Sequence, residues 1–405
     1  MRALPCAVTA AATLGLVLFT PRPAESIPAF ARQYGISCTA CHGPPPRLTP
    51  FGEMFAANGF RMSPDEPPRD TVDTGDPLLR LARSVHLAVR MDAYLSAETR
   101  TRPGGTDVDL QTPYGVKLLS GGQVMEDVSY YMYFYLTERG EVAGLEDAYL
   151  QFTDLAGSGV SVVAGQFQVS DPLFKRELRL EYEDYQPYRV RVGTARADLT
   201  YDRGIMALAS PWPGGDVSLQ VVGGRGLTEA GGQRLYDRDN RKNVALRLSQ
   251  EFGPLRLGAF GYAGAEVEDG TTDRIRVWGP DATLSLGNVE VNAQYLRRTD
   301  SNPLFAPAAE EAAVDAAFAE GVWGPRGPAG RLFFTGLWNW IQADRPVVSL
   351  RLGEQDTEQE YLERYHTFSG GVHWLLARNL RLMGEATWDF ERESARFTTG
   401  VIAAW

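Results

Sequence analysis

From Leu79 onward the chain alternates. Leu79, Leu81, Val85, Leu87, Val89, Met91 and Leu95 take the odd positions, and Arg80, Ser84, His86, Arg90 and Asp92 stand between them. Period two over this length predicts a strand with one apolar face. The same dyad returns in Val289, Val291, Ala293 and Tyr295 against Glu290, Asn292 and Gln294. It recurs in Leu380, Leu382, Ala386 and Trp388 against Arg381, Glu385 and Asp389, and in the closing Phe397, Thr399, Val401, Ala403 and Trp405.

Soluble sandwiches alternate too, so the connections must discriminate. Short turns fall near 156–158, 211–215, 252–254, 286–288, 324–330 and 377–379, and longer charged segments fall at 98–109, 170–196, 224–240, 300–313 and 342–361. Short periplasmic turns alternating with long external loops mark bacterial outer-membrane barrels. The pattern predicts an all-β chain, an antiparallel barrel of about 16 strands over 79–405 with both barrel ends periplasmic. The alanine-rich stretch 314–322 is a strand that could also be read as helix, and Tyr130, Tyr131, Tyr133 and Tyr135 are expected in an aromatic girdle. Gly 42 with Tyr 17, Phe 18 and Trp 8 suits such a fold. A net charge of −11 argues against nucleic acid as a partner, and outer-membrane lipid is expected instead.

The first 78 residues read differently. Arg2, the apolar stretch Ala3 to Thr20 and the small residues of Ala24-Glu25-Ser26 predict a signal peptide over 1–26, cleaved before Ile27. Cys6 leaves with it, so the mature chain keeps Cys38 and Cys41. Residues 27–64 form a compact segment, and 65–78, rich in Pro and Asp, a linker.

Cys38-Thr39-Ala40-Cys41-His42 is a C-x-x-C-H motif, the attachment signature of c-type haem. On a helical turn, positions i, i+3 and i+4 share a face. Both thiols can therefore reach the vinyl groups of one haem while His42 meets its iron. A zinc site would need a second ligand cluster, which is lacking, and a thiol oxidoreductase would set its C-x-x-C beside a βαβ pattern. Candidates for the distal position are Met54, on a short helix predicted over 50–59, Met62, and His86, which the alternation turns inward. Arg32, Arg47 and Arg61 are candidates to neutralise the propionates. Phe30, Tyr34, Ile36, Leu48, Phe51, Phe55 and Phe60 are the expected apolar wrapping. A 16-strand barrel encloses more space than its own side chains fill, and this plug is the expected filler.

The segment Pro28-Ala29-Phe30-Ala31-Arg32-Gln33-Tyr34-Gly35-Ile36-Ser37, the haem motif, Pro46-Arg47-Leu48-Thr49-Pro50-Phe51-Gly52, Phe55 and Asn58-Gly59-Phe60 resemble the fused monohaem cytochrome–porins of the outer membrane. About 35 residues carry the likeness. It implies covalent haem on Cys38 and Cys41, axial ligation by His42, oxidation of extracellular Fe(II) by outer-sphere transfer, and delivery of electrons to a periplasmic c-type cytochrome or other soluble carrier. Glu53 and Ala56 stand where iron-oxidising members often carry basic residues. Acidic groups at Glu181, Glu183 and Asp184, or at Glu354, Asp356, Glu358 and Glu360, are expected to gather cations at the outer mouth. No catalytic triad, phosphate loop or carboxylate pair is evident, so no catalytic residue is assigned. Two other readings stay open: a solute or anion porin whose haem is structural or sensory, and a periplasmic cytochrome with a soluble β-domain.

Overall fold

A computed structural model describes residues 29–63, 66–67, 69, 71–99, 105–142, 144–170, 176–230, 232, 234–350 and 361–405. Three short helices come first: α1 (Ala29–Tyr34), α2 (Cys38–Cys41) and α3 (Pro50–Ala57). A two-residue pair follows, β1 (Thr71–Val72) with β2 (Leu81–Ala82). The first half of the barrel is β3 (Leu87–Thr99), β4 (Thr106–Met125), β5 (Val128–Glu138), β6 (Gly144–Phe152), β7 (Val160–Gln168), β9 (Tyr201–Trp212), β10 (Gly215–Val222) and β11 (Asn243–Phe252). The second half is β12 (Leu255–Glu268), β13 (Thr271–Leu286), β14 (Val289–Asp300), β15 (Ala312–Trp323), β16 (Leu332–Ala343), β18 (Arg364–Ala377), β19 (Leu380–Asp389) and β20 (Ser394–Ala404). These 16 strands close antiparallel, with β20 joining β3 at the seam. The remaining pair, β8 (Val190–Val192) and β17 (Val348–Leu350), belongs to no barrel wall.

Alternation explains the closure. On β11, Val244, Leu246 and Leu248 are each more than 40% exposed, whereas Asn243, Arg247 and Ser249 are buried. Polar inside and apolar outside is the reverse of a soluble sandwich. A lipid face supplies the missing apolar environment, so the soluble β-domain reading is excluded. Leu246→Arg is therefore expected to cost about 2–4 kcal/mol if Leu246 sits near the bilayer midplane. Urea-dependent folding into lipid vesicles measures this, and a neutral result would mean that this face does not meet lipid.

Two expectations need correction. The barrel begins at Leu87, not at 79; Leu81–Ala82 pairs outside it with Thr71–Val72, inside the stretch read as linker. Proline and aspartate before Leu79 did not prevent a short edge pair from forming. Tyr133 and Tyr135 are buried in the lumen, where both hydroxyls donate to Glu177 (3.1 and 3.3 Å), and Tyr131 stacks on plug Phe60. Strand parity places odd positions of β5 inward, away from any girdle. The alanine-rich stretch 314–322 is strand, paired on both sides as β15.

The long connection between β7 and β9 folds into the lumen. Tyr185 stacks on inward-facing Phe318 with ring centres 4.6 Å apart, and Tyr188 meets the same ring edge-on at 5.5 Å. Leu199, Phe260, Val277 and Leu337 complete an apolar core there. A second one forms where β8 pairs with β17 against Val314, Ala316 and Ile341. Side chains thus pack the middle of the barrel.

Candidate functional site

The N-terminal segment docks in the mouth formed by the short turns. Ser37 caps α2 by accepting from Thr39 N, and His42 N donates to Cys38 O (2.8 Å) to close the turn. The next helix is tied to it: Thr49 caps α3 through Gly52 N, and also donates from Oγ1 to Ala40 O and from its backbone N to Cys41 O, both 2.8 Å. Only a glycine fits at 52, because a Cβ there would lie 2.3 Å from Cys41 O. Phe30 stacks on Phe60 (4.8 Å) and meets Phe55 edge-on (5.3 Å), Tyr34 meets Phe55 at 5.4 Å, and Tyr34 OH donates to Phe60 O. The expected aromatic wrapping is therefore gathered at Phe30, Tyr34, Phe55 and Phe60.

Two sides of the plug grip the wall. On one, Gln151 donates to Ala57 O (2.7 Å), Arg61 donates to Glu126 O (2.8 Å), and a Cβ at Gly121 would come within 2.9 Å of Phe30. On the other, Gly43 lies against Pro328. There Arg47 reaches Glu320 (2.7 Å) and also pairs with Glu290. Glu320 is fully buried and accepts from Tyr185 of the inward loop at 2.8 Å. One guanidinium thus joins plug, wall and loop. Arg47 and Arg61, expected on propionates, are engaged with the barrel instead; Arg32 is exposed on α1.

Cys38 and Cys41 are free thiols at positions i and i+3 of one turn, and burial raises the pKa of both. His42 Nδ1 lies 2.8 Å from Pro46 O. Burial lowers the imidazole's affinity for a proton. A neutral ring whose Nδ1–H donates to Pro46 O carries its lone pair on Nε2, the tautomer that binds a metal. The three side chains could therefore hold a haem. Among the described residues no group of three or more His, Cys, Asp or Glu side chains could hold a bare metal ion.

The distal candidates separate. Met54 projects from α3 and is 45% exposed, and Met62 follows the plug's last turn, its N donating to Glu66 at 2.7 Å. His86 does not face the plug, contrary to expectation. A Cβ at Gly122 would lie 3.0 Å from His86 Nδ1, whereas one at Gly121 meets plug Phe30. Successive strand residues point to opposite faces, so His86 packs on the outer side. It precedes β3, and the strand's parity does not extend to it. Glu181, Glu183 and Asp184, expected at the outer mouth, are buried on the inward loop, Glu183 paired with Arg396 and Asp184 with Arg189 at 2.6 Å. The run 354–360 lies outside the described residues. The Arg47–Glu290–Glu320 junction was not foreseen. Its signal was two glutamates at lumen-facing positions of apolar-out strands, which call for a cation.

The closed antiparallel barrel with a lipid-facing apolar exterior defines a bacterial outer-membrane protein of porin architecture. Among solved structures, the chain is similar to an anion-selective porin from Comamonas acidovorans (9% identity, TM-score 0.57, 80% of this chain and 99% of that one). It is also similar to the outer-membrane channel DcaP of Acinetobacter baumannii (12%, 0.53, 80% and 97%) and to a loop L8 deletion mutant of OmpT from Vibrio cholerae (12%, 0.53, 80% and 99%). No protein-family model matches the chain, and no curated protein matches it.

Proposed function

We propose that this barrel is an outer-membrane electron conduit, its N-terminal segment carrying one haem c through Cys38 and Cys41 with His42 as an axial ligand. The observation that carries the reading is the His42–Pro46 contact within a free-thiol C-x-x-C-H turn docked in the periplasmic mouth. When bound, haem supplies reversible one-electron exchange at its iron. The chain's residues do the rest. Pro46 O orients the His42 ring; Met54 or Met62 would supply a further ligand to the iron; Arg47 fixes the segment to the wall; the loop around Tyr185 and Tyr188 packs the lumen against water and ions. Extracellular Fe(II) as donor, and a periplasmic c-type cytochrome or other soluble carrier as acceptor, rest on the resemblance of the plug.

The structural neighbours favour a second reading over this one: a solute or anion channel whose haem is structural or sensory. All three are described as porins or outer-membrane proteins of that build, one of them anion-selective. Purified protein in a planar bilayer separates the two. The conduit reading expects a current well below that of an open 16-strand pore, because the lumen is packed; a porin-sized current would transfer the assignment to the channel. Anaerobic stopped flow with Fe(II), followed at the haem α-band, tests the donor independently.

A further inference from the structure

Among the described residues, the plug contacts given above leave the seam side of the inner wall without a grip. The plug's grips fall on β4–β6 to one side, and on β14, β15 and the β15–β16 turn to the other. Around the barrel between them run β18, β19, β20 and β3. The cysteine turn lies beside this sector: Gly43 packs on Pro328 of the β15–β16 turn, whose Ala329 O and Gly330 O accept from Arg378 of the β18–β19 turn. Just inside that turn is Arg381, on β19. It is 4% exposed, and its Nε and Nη1 have no hydrogen-bond partner among the described residues. On β18, two residues from Leu375, which pairs with Arg381, His373 is fully buried, its Nε2 3.0 Å from Thr335 Oγ1 and its Nδ1 likewise without a hydrogen-bond partner among the described residues.

An unpaired buried guanidinium is costly, of the order of several kcal/mol. Among the described residues no carboxylate accepts a hydrogen bond from its Nε or Nη1. Arg90 is a like charge, and Asp92 is already held by both nitrogens of Arg90 at 2.8 Å. Glu181 of the inward loop is the other acid in reach of Arg381. Burial, with Glu320 and Glu385 beside it, raises that carboxyl's hold on its proton. Two nitrogens of the Arg381 guanidinium are therefore left without an acceptor among the described residues. Arg47 and Arg61, two of the plug's three candidate arginines, are engaged with the barrel. Arg–carboxylate contacts, often bidentate, are among the stronger charge-assisted hydrogen bonds.

The geometry points to Arg381, with His373 behind it, as the receptor for a haem propionate, so that the barrel wall and not the plug neutralises the cofactor's carboxylate. This rests on the haem reading above. A small anion in transit would offer the same charge, and the test separates the two. Intact mass of the wild type comes first: no haem mass would end the parent reading, whatever Arg381 does. With haem present, Arg381→Gln is compared with Arg381→Lys and with Arg256→Gln, which removes an equivalent charge from a half-exposed pair at the same end of the barrel. Loss of a cation beside the propionate is expected to shift the haem equilibrium about tenfold toward the oxidised form, about 59 mV for one electron. The Lys variant should stay near wild type and Arg256→Gln should not move. The assignment is overturned if Arg381→Gln shifts the potential no more than Arg256→Gln, or if it changes only the chloride dependence of the bilayer current. Should the Arg381 variants fail to assemble, resonance Raman of the native holoprotein decides: the propionate bending band lies at its hydrogen-bonded position if the inference holds, and at its free position if it does not.

Discussion

A chain carrying Cys38→Ser and Cys41→Ser together is expected to fold as the same barrel and to bear no covalent haem. This is the largest effect the structure implies, a change from one attached group per chain to none. The thiols lie three residues apart on α2, held by the Ser37 cap and by Thr49, and neither engages in a disulfide. Serine keeps the turn and removes the only atoms that could bond to a vinyl group. A single substitution is expected to retain one thioether and a shifted spectrum. Intact mass and in-gel haem staining read the outcome, and heat-modifiable migration confirms that the barrel is formed. Equal masses, after allowing for the substitutions, in wild type and double variant would leave a plugged pore with an unexplained C-x-x-C-H.

Arg47→Ala should release the plug. The side chain is largely buried and bridges Glu290 to Glu320, and Glu320 has no solvent exposure of its own. Removing one partner from a buried pair strands the remaining charge, which costs about 3–5 kcal/mol; the half-exposed Glu290 lowers that toward the smaller figure. The carboxylate that accepts from the Tyr185 hydroxyl then loses its counter-ion. Plug docking and loop position are therefore expected to fail together. Limited proteolysis should cut between 43 and 62 many times faster than in wild type, with bilayer current rising in parallel. Arg47→Lys, keeping a single charge without the fork, should fall between. Unchanged protection and unchanged current would show that the aromatic contacts at Phe30 and Phe60 suffice to hold the segment.

Most of the wall was legible because lipid imposes a simple rule on it. Val289–Asp300, Leu380–Asp389 and Ser394–Ala404 each stand where period two placed them. Even alanine-rich β15 obeyed, since its pairing with β14 and β16 outweighs helix propensity. What failed was whatever the rule does not reach. Leu79 to Val85 alternates yet has no barrel neighbour to pair with. Tyr131, Tyr133 and Tyr135 of β5 have the composition of a girdle but the parity of a lumen. Leu180, Tyr185 and Tyr188 sit among acids in a segment that reads as solvated loop; that it turns inward depends on Phe318 and Glu320, more than 130 residues away. In the candidate site, the cysteines, His42 and the aromatic wrapping were readable as a local motif. His86 and the partners of Arg47 were not, because face and distance are set by the closed cylinder.

One asymmetry of the wall bears on how anything reaches the interior. Pairing between β4 and β5 ends at Gly115 and Glu138, whereas β4 continues alongside β3 to Thr106. Nine further residues of strand add about 30 Å of ribbon, or about 20 Å of height at the tilt usual for such barrels. The rim is thus a collar cut away on one flank, with the low step at the β5–β6 turn. A cavity of about 660 Å³ opens beneath the tall side, between Asp109–Tyr114 and Thr137–Gly140. A particle resting on the cell surface would be propped off by the tall flank, while dissolved species enter obliquely over the notch.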